Sequence, residues 1–354
     1  MSAITCVRVG YGVAARIHEL KLRASGVSTA AVVEVDPRRR RHAASDGLLA
    51  FSSCRQAARL KPTFWDICTS TSRHVDAIES ILHVEPAANL LIEKPVCAPS
   101  DVPRLLALLA CSRGRVVIND NYRSSAVTRA VKRLVHEKLG LRIRRVIVEM
   151  TQNRMEDFMS GRFIDQDYKA LGYEGPHMLA IVQELGDSVW PPAQFERARL
   201  TDLQMHVDGR PVRLPGQRSA LVSYLSRTGV AVELYTGLDG VVRDPRPPLA
   251  PPHARLRGGT RYRVVIVAGP DREGHSCEVV GFYEPSSTMG RGVGAAVVLR
   301  DGVVVGMLSI ADDTMQTHLA RAVDHFTGTA QNPSEALPAI EIAQMLGRFA
   351  SASM

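Results

Sequence analysis

The run Ile4-Thr5-Cys6-Val7-Arg8-Val9-Gly10-Tyr11-Gly12-Val13-Ala14-Ala15 decides the fold. Its first six residues read as a strand, and Gly10, Gly12 and Ala15 then make a Gly-x-Gly-x-x-Ala turn that runs straight into a helix-like stretch. Such a turn leaves the bare amides of Gly10, Gly12, Val13, Ala14 and Ala15 at a helix N-terminus, where the helix dipole favours a pyrophosphate. The same turn also serves as an ordinary connection, so its meaning depends on the residues at the end of the next strand.

A second apolar run, Thr29 to Val35, ends in Glu34-Val35-Asp36, with Glu34 lying 22 positions beyond Gly12. A carboxylate there is placed to accept a ribose 2′-hydroxyl. Asp36 and Pro37 read as N-cap and first residue of the next helix. The arginines at 38, 39, 40 and 41 either form the wet face of that helix or bind the extra phosphate of NADP; Glu34 would repel that phosphate, which favours NAD and leaves NADP open.

A chain of 354 residues accommodates two domains with full cores, and 45% apolar with 23% charged residues is the composition of a globular protein. No stretch approaches the roughly 18–20 uninterrupted apolar residues of a membrane span, and the N-terminus carries no signal-peptide pattern, so a cytoplasmic location without membrane contact is expected. The six cysteines form no Cys-x-x-Cys pair and no cluster with histidines, which points to reduced thiols and to no metal. The net charge of +8 is carried by arginines scattered over the whole length, without the motifs of a nucleic-acid binder.

The first third alternates strand and helix signals: strands at 64–69, 90–92 and 115–119, a helix at 72–82, and another capped by Ser100 with Leu105, Leu106, Leu108 and Leu109 facing inward before Gly114. This is the rhythm of a doubly wound parallel Rossmann sheet. Beyond about residue 125 a helix over 127–137 and a strand over 143–150 give way to strand pairs around tight turns at Asp208-Gly209, Thr228-Gly229 and Asp301-Gly302, the last joining 295–300 to 303–310. The expected organisation is a nucleotide-binding domain over 1–124 and a second α/β domain with an open, mainly antiparallel sheet over 125–354, closed by a helix over 334–349. Prolines 245, 247, 248, 251 and 252 mark a surface loop without regular structure. No internal repeat is visible.

Chemistry gathers at four further places. One strand ends in Thr69-Ser70-Thr71-Ser72-Arg73-His74, another runs into Glu93-Lys94-Pro95, a third ends in Asn119-Asp120-Asn121-Tyr122-Arg123, and Gly172-Tyr173-Glu174-Gly175-Pro176-His177 opens a helix. The first three fall at the carboxyl ends of parallel strands, where an open α/β sheet binds its ligand. In this order, together with His18 three residues past Ala15, the set resembles the Gfo/Idh/MocA family of sugar and polyol oxidoreductases, over nearly the whole chain.

The resemblance implies a Rossmann domain binding NAD through Gly10, Gly12, Val13, Ala14, Ala15, Glu34, Thr69, Ser70, His74, Glu93, Lys94 and Asn121. It also implies a second domain whose sheet joins subunits into a homodimer or homotetramer. The nicotinamide would lie beneath Lys94, and a sugar-like substrate would contact Lys94, Tyr122, Arg123, Tyr173, Glu174 and His177. The family usually has an aspartate four residues before the histidine, and here that position is Tyr173. Oxidising a secondary alcohol requires a base near neutral pKa and a group to stabilise the developing oxyanion, for which Lys94 and His177 are the candidate pair, with Tyr173 as relay or donor. The bland alternatives are a surface lysine for Lys94 and a capping or core histidine for His177; His74 serves either the cofactor or only backbone.

Residues 154–177 carry five acids, Glu156, Asp157, Asp165, Asp167 and Glu174, against Arg154, Arg162 and Lys169, a local balance of −2 in a basic chain. Such a stretch would suit a cationic amino sugar, as in aminoglycoside-type antibiotic biosynthesis, or would simply be solvated. The expected activity is therefore that of an NAD-dependent dehydrogenase acting on a sugar, cyclitol or amino sugar. A non-catalytic nucleotide sensor on the same fold is the alternative.

Overall fold

A computed structural model describes residues 3–160, 164–207, 210–251, 253–283 and 289–352. The chain divides into two compact units, Met1–Asn121 with Met315–Gln344, and Tyr122–Thr314 with Met345–Met354. The Asp208-Gly209 turn, Arg162 and Pro252 lie outside the described residues.

In the first unit β1 (Thr5–Val9), α1 (Val13–Ala24), β2 (Ser28–Val33), α2 (Pro37–Ser45), β3 (Ala50–Phe51), α3 (Cys54–Ala57), β4 (Phe64–Ile67), α4 (His74–Val84), β5 (Leu90–Ile92), α5 (Val102–Cys111) and β6 (Val116–Ile118) succeed one another. The six strands form one sheet in the order β3-β2-β1-β4-β5-β6, and every pairing is parallel. Order reverses between β1 and β4, which makes their carboxyl ends the binding crevice of such a sheet.

Two local readings of this unit need correction. The helix after residue 100 begins at Val102 behind a 3-10 turn over Pro99–Asp101, without a side-chain cap from Ser100. Of its four leucines only Leu105 is buried, and Leu106 is 38% exposed, because α5 lies on the sheet along a narrow stripe.

The second unit runs through α6 (Ala126–Arg133), continued by a π-turn over Leu134–Lys138, then β7 (Arg145–Gln152), α7 (Met155–Met159), α8 (Leu171–Leu185), β8 (Pro192–Val207), β9 (Arg210–Ser226), β10 (Ala231–Gly237), β11 (Arg261–Pro270), β12 (Ser276–Phe282), β13 (Val293–Arg300) and β14 (Val303–Ala311). Its eight-stranded sheet, ordered β14-β13-β12-β11-β7-β10-β9-β8, is antiparallel throughout except where β10 meets β7. This α/β architecture, one parallel Rossmann sheet and one mainly antiparallel sheet, is the fold class read from the sequence. At Asp301-Gly302 both residues have positive φ, +51 and +81, as a type I′ hairpin requires.

The proline-rich loop is more than surface. Val242 and Leu256 are buried, and with Leu249 they pack on Tyr262, Val264, Ile266 and Phe282 of the sheet. After β14 come α9 (Thr314–Phe326), which the sequence pattern does not announce, and α10 (Ala336–Ser351). Leu319, Ala322, Val323 and Phe326 of α9 pack on Phe64, Leu91 and Val117 of the parallel sheet, with Phe64 and Phe326 stacked 4.9 Å apart. Each such large side chain contributes about 1.5–3 kcal/mol by leaving water. No helix of the described residues is long and apolar enough to cross a membrane.

Candidate active site

In the first unit the two glycines of the turn have different reasons for being there. At Gly10 φ is +91, and a Cβ would stand 2.9 Å from the Cys68 carbonyl oxygen and 3.1 Å from Thr69 N, so only glycine lets the ends of β1 and β4 meet. Gly12 has an ordinary φ of −89, and a Cβ there would meet nothing within 4 Å. Folding does not demand glycine at 12. A bare Cα at the N-cap of α1 leaves the amides of the helix's first turn open to a ligand, with no acid there to compete. A cleft of about 870 Å³ opens at the carboxyl ends of β1 and β2, lined by Val9, Val33, Val35 and Thr69 and running along α4 past Arg73, Asp76 and Ser80. The open amides of the turn fit a pyrophosphate.

Glu34 is 6% exposed, and its carboxylate accepts the Tyr11 N–H at 2.9 Å and the Asp36 N–H at 3.0 Å. That holds the acid at the end of β2 against the glycine turn. Asp36 caps α2 by accepting from the amides of Arg38 and Arg39, and Pro37 takes the first helical position. Arg40 donates to the carbonyls of Glu34 and Val35, whereas Arg38, Arg39 and Arg41 are exposed.

His74 is 1% exposed, and both ring nitrogens face backbone carbonyls, Nδ1 that of Pro95 at 2.9 Å and Nε2 that of Thr69 at 3.1 Å. His74 thus stands between the Thr69-Ser70 turn and the loop that carries Lys94, its neutral ring donating to one of the two carbonyls. Burial lowers its pKa. Lys94 itself is half-buried, its amide donates to Glu93 Oε2 at 3.1 Å, and its bond to Pro95 is cis. Asn121 is buried just past β6.

Behind Lys94 lies a charged network that sequence reasoning missed. His18 stands 2.9 Å from Asp66 through Nδ1 and 2.8 Å from Glu93 through Nε2; Asn119 also donates to Glu93, and Arg8 donates to Asp66 at 2.8 Å. Burial alone would lower the His18 pKa, but Cys68 and Asp66 beside it hold it well above the usual histidine value. The same imidazolium helps to keep Glu93 ionised against its own burial. A signal was available, since Arg8 and Asp66 are lone charges within apolar strands, paired in register across β1 and β4. The donor atoms of His18, Asp66 and Cys68 lie within 4.8 Å of one another, but Arg8 on Asp66 and a Cys68 thiol pushed up to about 12 by burial both disfavour a cation.

In the second unit α8 carries Tyr173, Glu174 and His177, all within its first seven residues, with Pro176 inside the helix. His177 is 7% exposed and its ring lies 4.7 Å from that of Tyr122, which is 2% exposed. Glu174 is an internal counter-ion: Arg263 reaches its carboxylate at 3.0 Å and Arg154 at 3.1 Å. Arg263 also donates to the Tyr122 hydroxyl. The Tyr173 hydroxyl accepts the Asp165 amide at 3.1 Å, and the Arg154 guanidinium lies over its ring. Arg123 is directed to the far end of α8, donating to Glu184 and Gln183.

The acidic stretch is thus partly neutralised once folded. Arg154 pairs with Asp157 and Glu174, Asp165 accepts the Tyr168 amide, and β11 brings Arg261 and Arg263. Counting charge along the sequence missed the two arginines, which come from roughly ninety residues away.

This fold is shared by solved structures of oxidoreductases. An oxidoreductase domain protein from Kribbella flavida superposes with a TM-score of 0.72 at 14% identity, covering 100% of this chain and 97% of that one. An oxidoreductase from Agrobacterium radiobacter, in complex with NAD+, L-tartaric acid and magnesium, does so at 0.71 and 13%, covering 99% and 96%. The WlbA dehydrogenase from Bordetella pertussis, with NADH and UDP-GlcNAcA, gives 0.68 and 12%, covering 99% and 96%. At these identities the likeness is one of fold. No protein-family model and no curated protein matches the sequence.

Proposed function

We propose that the chain is an NAD-dependent dehydrogenase acting on a secondary hydroxyl of a sugar-like small molecule. The observation that carries the reading is Gly12, a glycine that folding does not need, at the one place where a dinucleotide needs a bare backbone. Two of the fold's neighbours hold NAD+ or NADH beside small hydroxylated ligands, which supports the same reading. Glu34 favours NAD, because its buried carboxylate would repel the 2′-phosphate of NADP; Arg40 is engaged with carbonyls, while the exposed Arg38, Arg39 and Arg41 leave NADP open.

A nicotinamide held by these residues would supply the hydride acceptor for the carbinol carbon. Gly10 and Gly12 shape the turn that receives the pyrophosphate, and Glu34 takes the ribose. His18, Asn119 and Glu93 fix the backbone of Lys94. Oxidation also needs a base for the hydroxyl proton and a group for the developing oxyanion, and Lys94 and His177 are the candidates for these roles. Tyr173, whose oxygen accepts the Asp165 amide, is the candidate relay or donor beside them. For an amino-sugar substrate, and with it a place in antibiotic biosynthesis, the electrostatic argument is weaker than the sequence suggested, since arginines meet Asp157 and Glu174, two of its five acids.

Titration with NADH followed by a panel of polyols and sugars tests the proposal. Wild type should bind the dinucleotide and reduce NAD on at least one alcohol, whereas Lys94→Ala should lose at least about 10²-fold in kcat while binding NADH within about two-fold of wild type. Turnover unchanged by Lys94→Ala refutes its role. Tight NADH binding with no turnover of any alcohol favours the sensor.

A further inference from the structure

Strand alternation puts Arg261 and Arg263 on one face of β11, while Tyr262 between them enters the apolar core on the other. β11 is an interior strand, flanked by β12 and β7, and two arginines side by side there are unusual unless they meet negative charge. Arg263 is 6% exposed and Arg154 is 7% exposed, and both reach the same carboxylate, Glu174. Arg154 in addition pairs with Asp157.

Arg261 has no such acid. Among the described residues no carboxylate hydrogen-bonds or ion-pairs with it, and the Arg263 guanidinium, followed by burial, pulls its pKa down to about 10. Its cross-strand neighbour on β7, Gln152, is 5% exposed and neutral, so it supplies no counter-charge. Arg154 Nε is buried without an acceptor. Among the described residues Arg261 is thus the one guanidinium of the three without a carboxylate against it. A carboxylate, with a single charge and a planar pair of oxygens, matches what remains; a phosphate monoester carries about −1.5 to −2 and exceeds it. The cluster adjoins the proposed chemistry, because Arg263 holds the hydroxyl of Tyr122, whose ring lies against His177.

We infer that Arg261, with Arg263 and Arg154, receives a carboxylate of the substrate, so that the alcohol presented to His177 belongs to a hydroxy acid such as a sugar acid. That the bound acid is a substrate rests on the dehydrogenase reading, but the anion site can be measured without turnover.

Calorimetric titration of the full chain, with and without NADH, would compare glycerate, gluconate and glucuronate with glycerol, sorbitol and glucose, and with glucose 6-phosphate. At least one acid should bind 10-fold or more tightly than its neutral counterpart, and the preference should shrink with salt. Arg261→Met should weaken that acid by about 10- to 100-fold and abolish the preference, with Arg261→Lys in between. Neutral sugars bound as tightly as the acids, no acid bound at all, or acid affinity untouched by Arg261→Met would overturn the assignment, and tighter binding of glucose 6-phosphate would overturn the single-carboxylate match. Should Arg261→Met fail to fold, Arg261→Lys and the wild-type comparison decide. Acids bound but never oxidised would uphold the anion site and refute the dehydrogenase; neutral alcohols oxidised with indifference to Arg261 would do the reverse.

Discussion

Single residues separate what folding needs from what binding needs. Gly10→Ala forces a Cβ onto the backbone of Cys68 at a left-handed φ and should cost about 2–4 kcal/mol in urea unfolding. Gly12→Ala should leave stability within about 1 kcal/mol of wild type or raise it slightly, yet weaken NADH binding by 10-fold or more. Equal effects of the two on stability would refute this division. Glu149 offers a second contrast. Burial raises its pKa from 4.5 to about 7, even though it accepts from the amides of Arg243 and Asp244. The folded state thus binds this proton more tightly than the unfolded chain does. Its contribution is fully present below about pH 4.5 and fades as pH rises through 7, a change on the order of 3 kcal/mol. The difference in stability between wild type and Glu149→Gln should track that slope between pH 4.5 and 8; a constant difference would refute it. Gly10, Glu34 and Lys94 stand out in the sequence because turn, strand end and spacing are local signals. Arg261 and Arg263 do not, since their meaning depends on Glu174, far away in the chain.

At the scale of elements, five of the six parallel strands are legible because each is a short apolar run bounded by turn residues, whereas β3, only Ala50–Phe51, offers no run to read; the Asp301-Gly302 hairpin is legible because its turn chemistry is strict. Helix α9 is not. Thr314–Phe326 mixes His318, Arg321 and Asp324 among its apolar positions, and its role emerges only when Leu319, Ala322, Val323 and Phe326 meet the sheet. His318 fastens it further, donating to the Ile118 carbonyl at the end of β6. Phe326→Ala should cost about 3–5 kcal/mol, seen as a lower urea midpoint for the first unit, through loss of the stack on Phe64. A loss below about 1 kcal/mol would show that α9 merely rests on the surface.

Across the whole molecule, charge and apolar surface are distributed unevenly. Edge strand β14 exposes Val303, Val305, Met307 and Leu308, with Val305 59% and Met307 52% exposed, a surface that invites pairing. We propose it as the contact through which copies of the chain associate. Light scattering should give wild type the mass of a dimer or tetramer and Val305→Asp/Met307→Asp that of a monomer; a wild-type monomer would end the idea. The strand that leads to the glycine turn opens the sequence, yet α9, which completes the core of the same unit, begins at residue 314. During synthesis at roughly 5–20 residues per second, the nucleotide-binding half waits on the order of 10–40 s after its sixth strand for the helix that seals its hydrophobic underside. A newborn chain therefore holds an open, sticky intermediate for much of its time on the ribosome, and its yield in a cell should depend on chaperones that shield it until the last helices emerge.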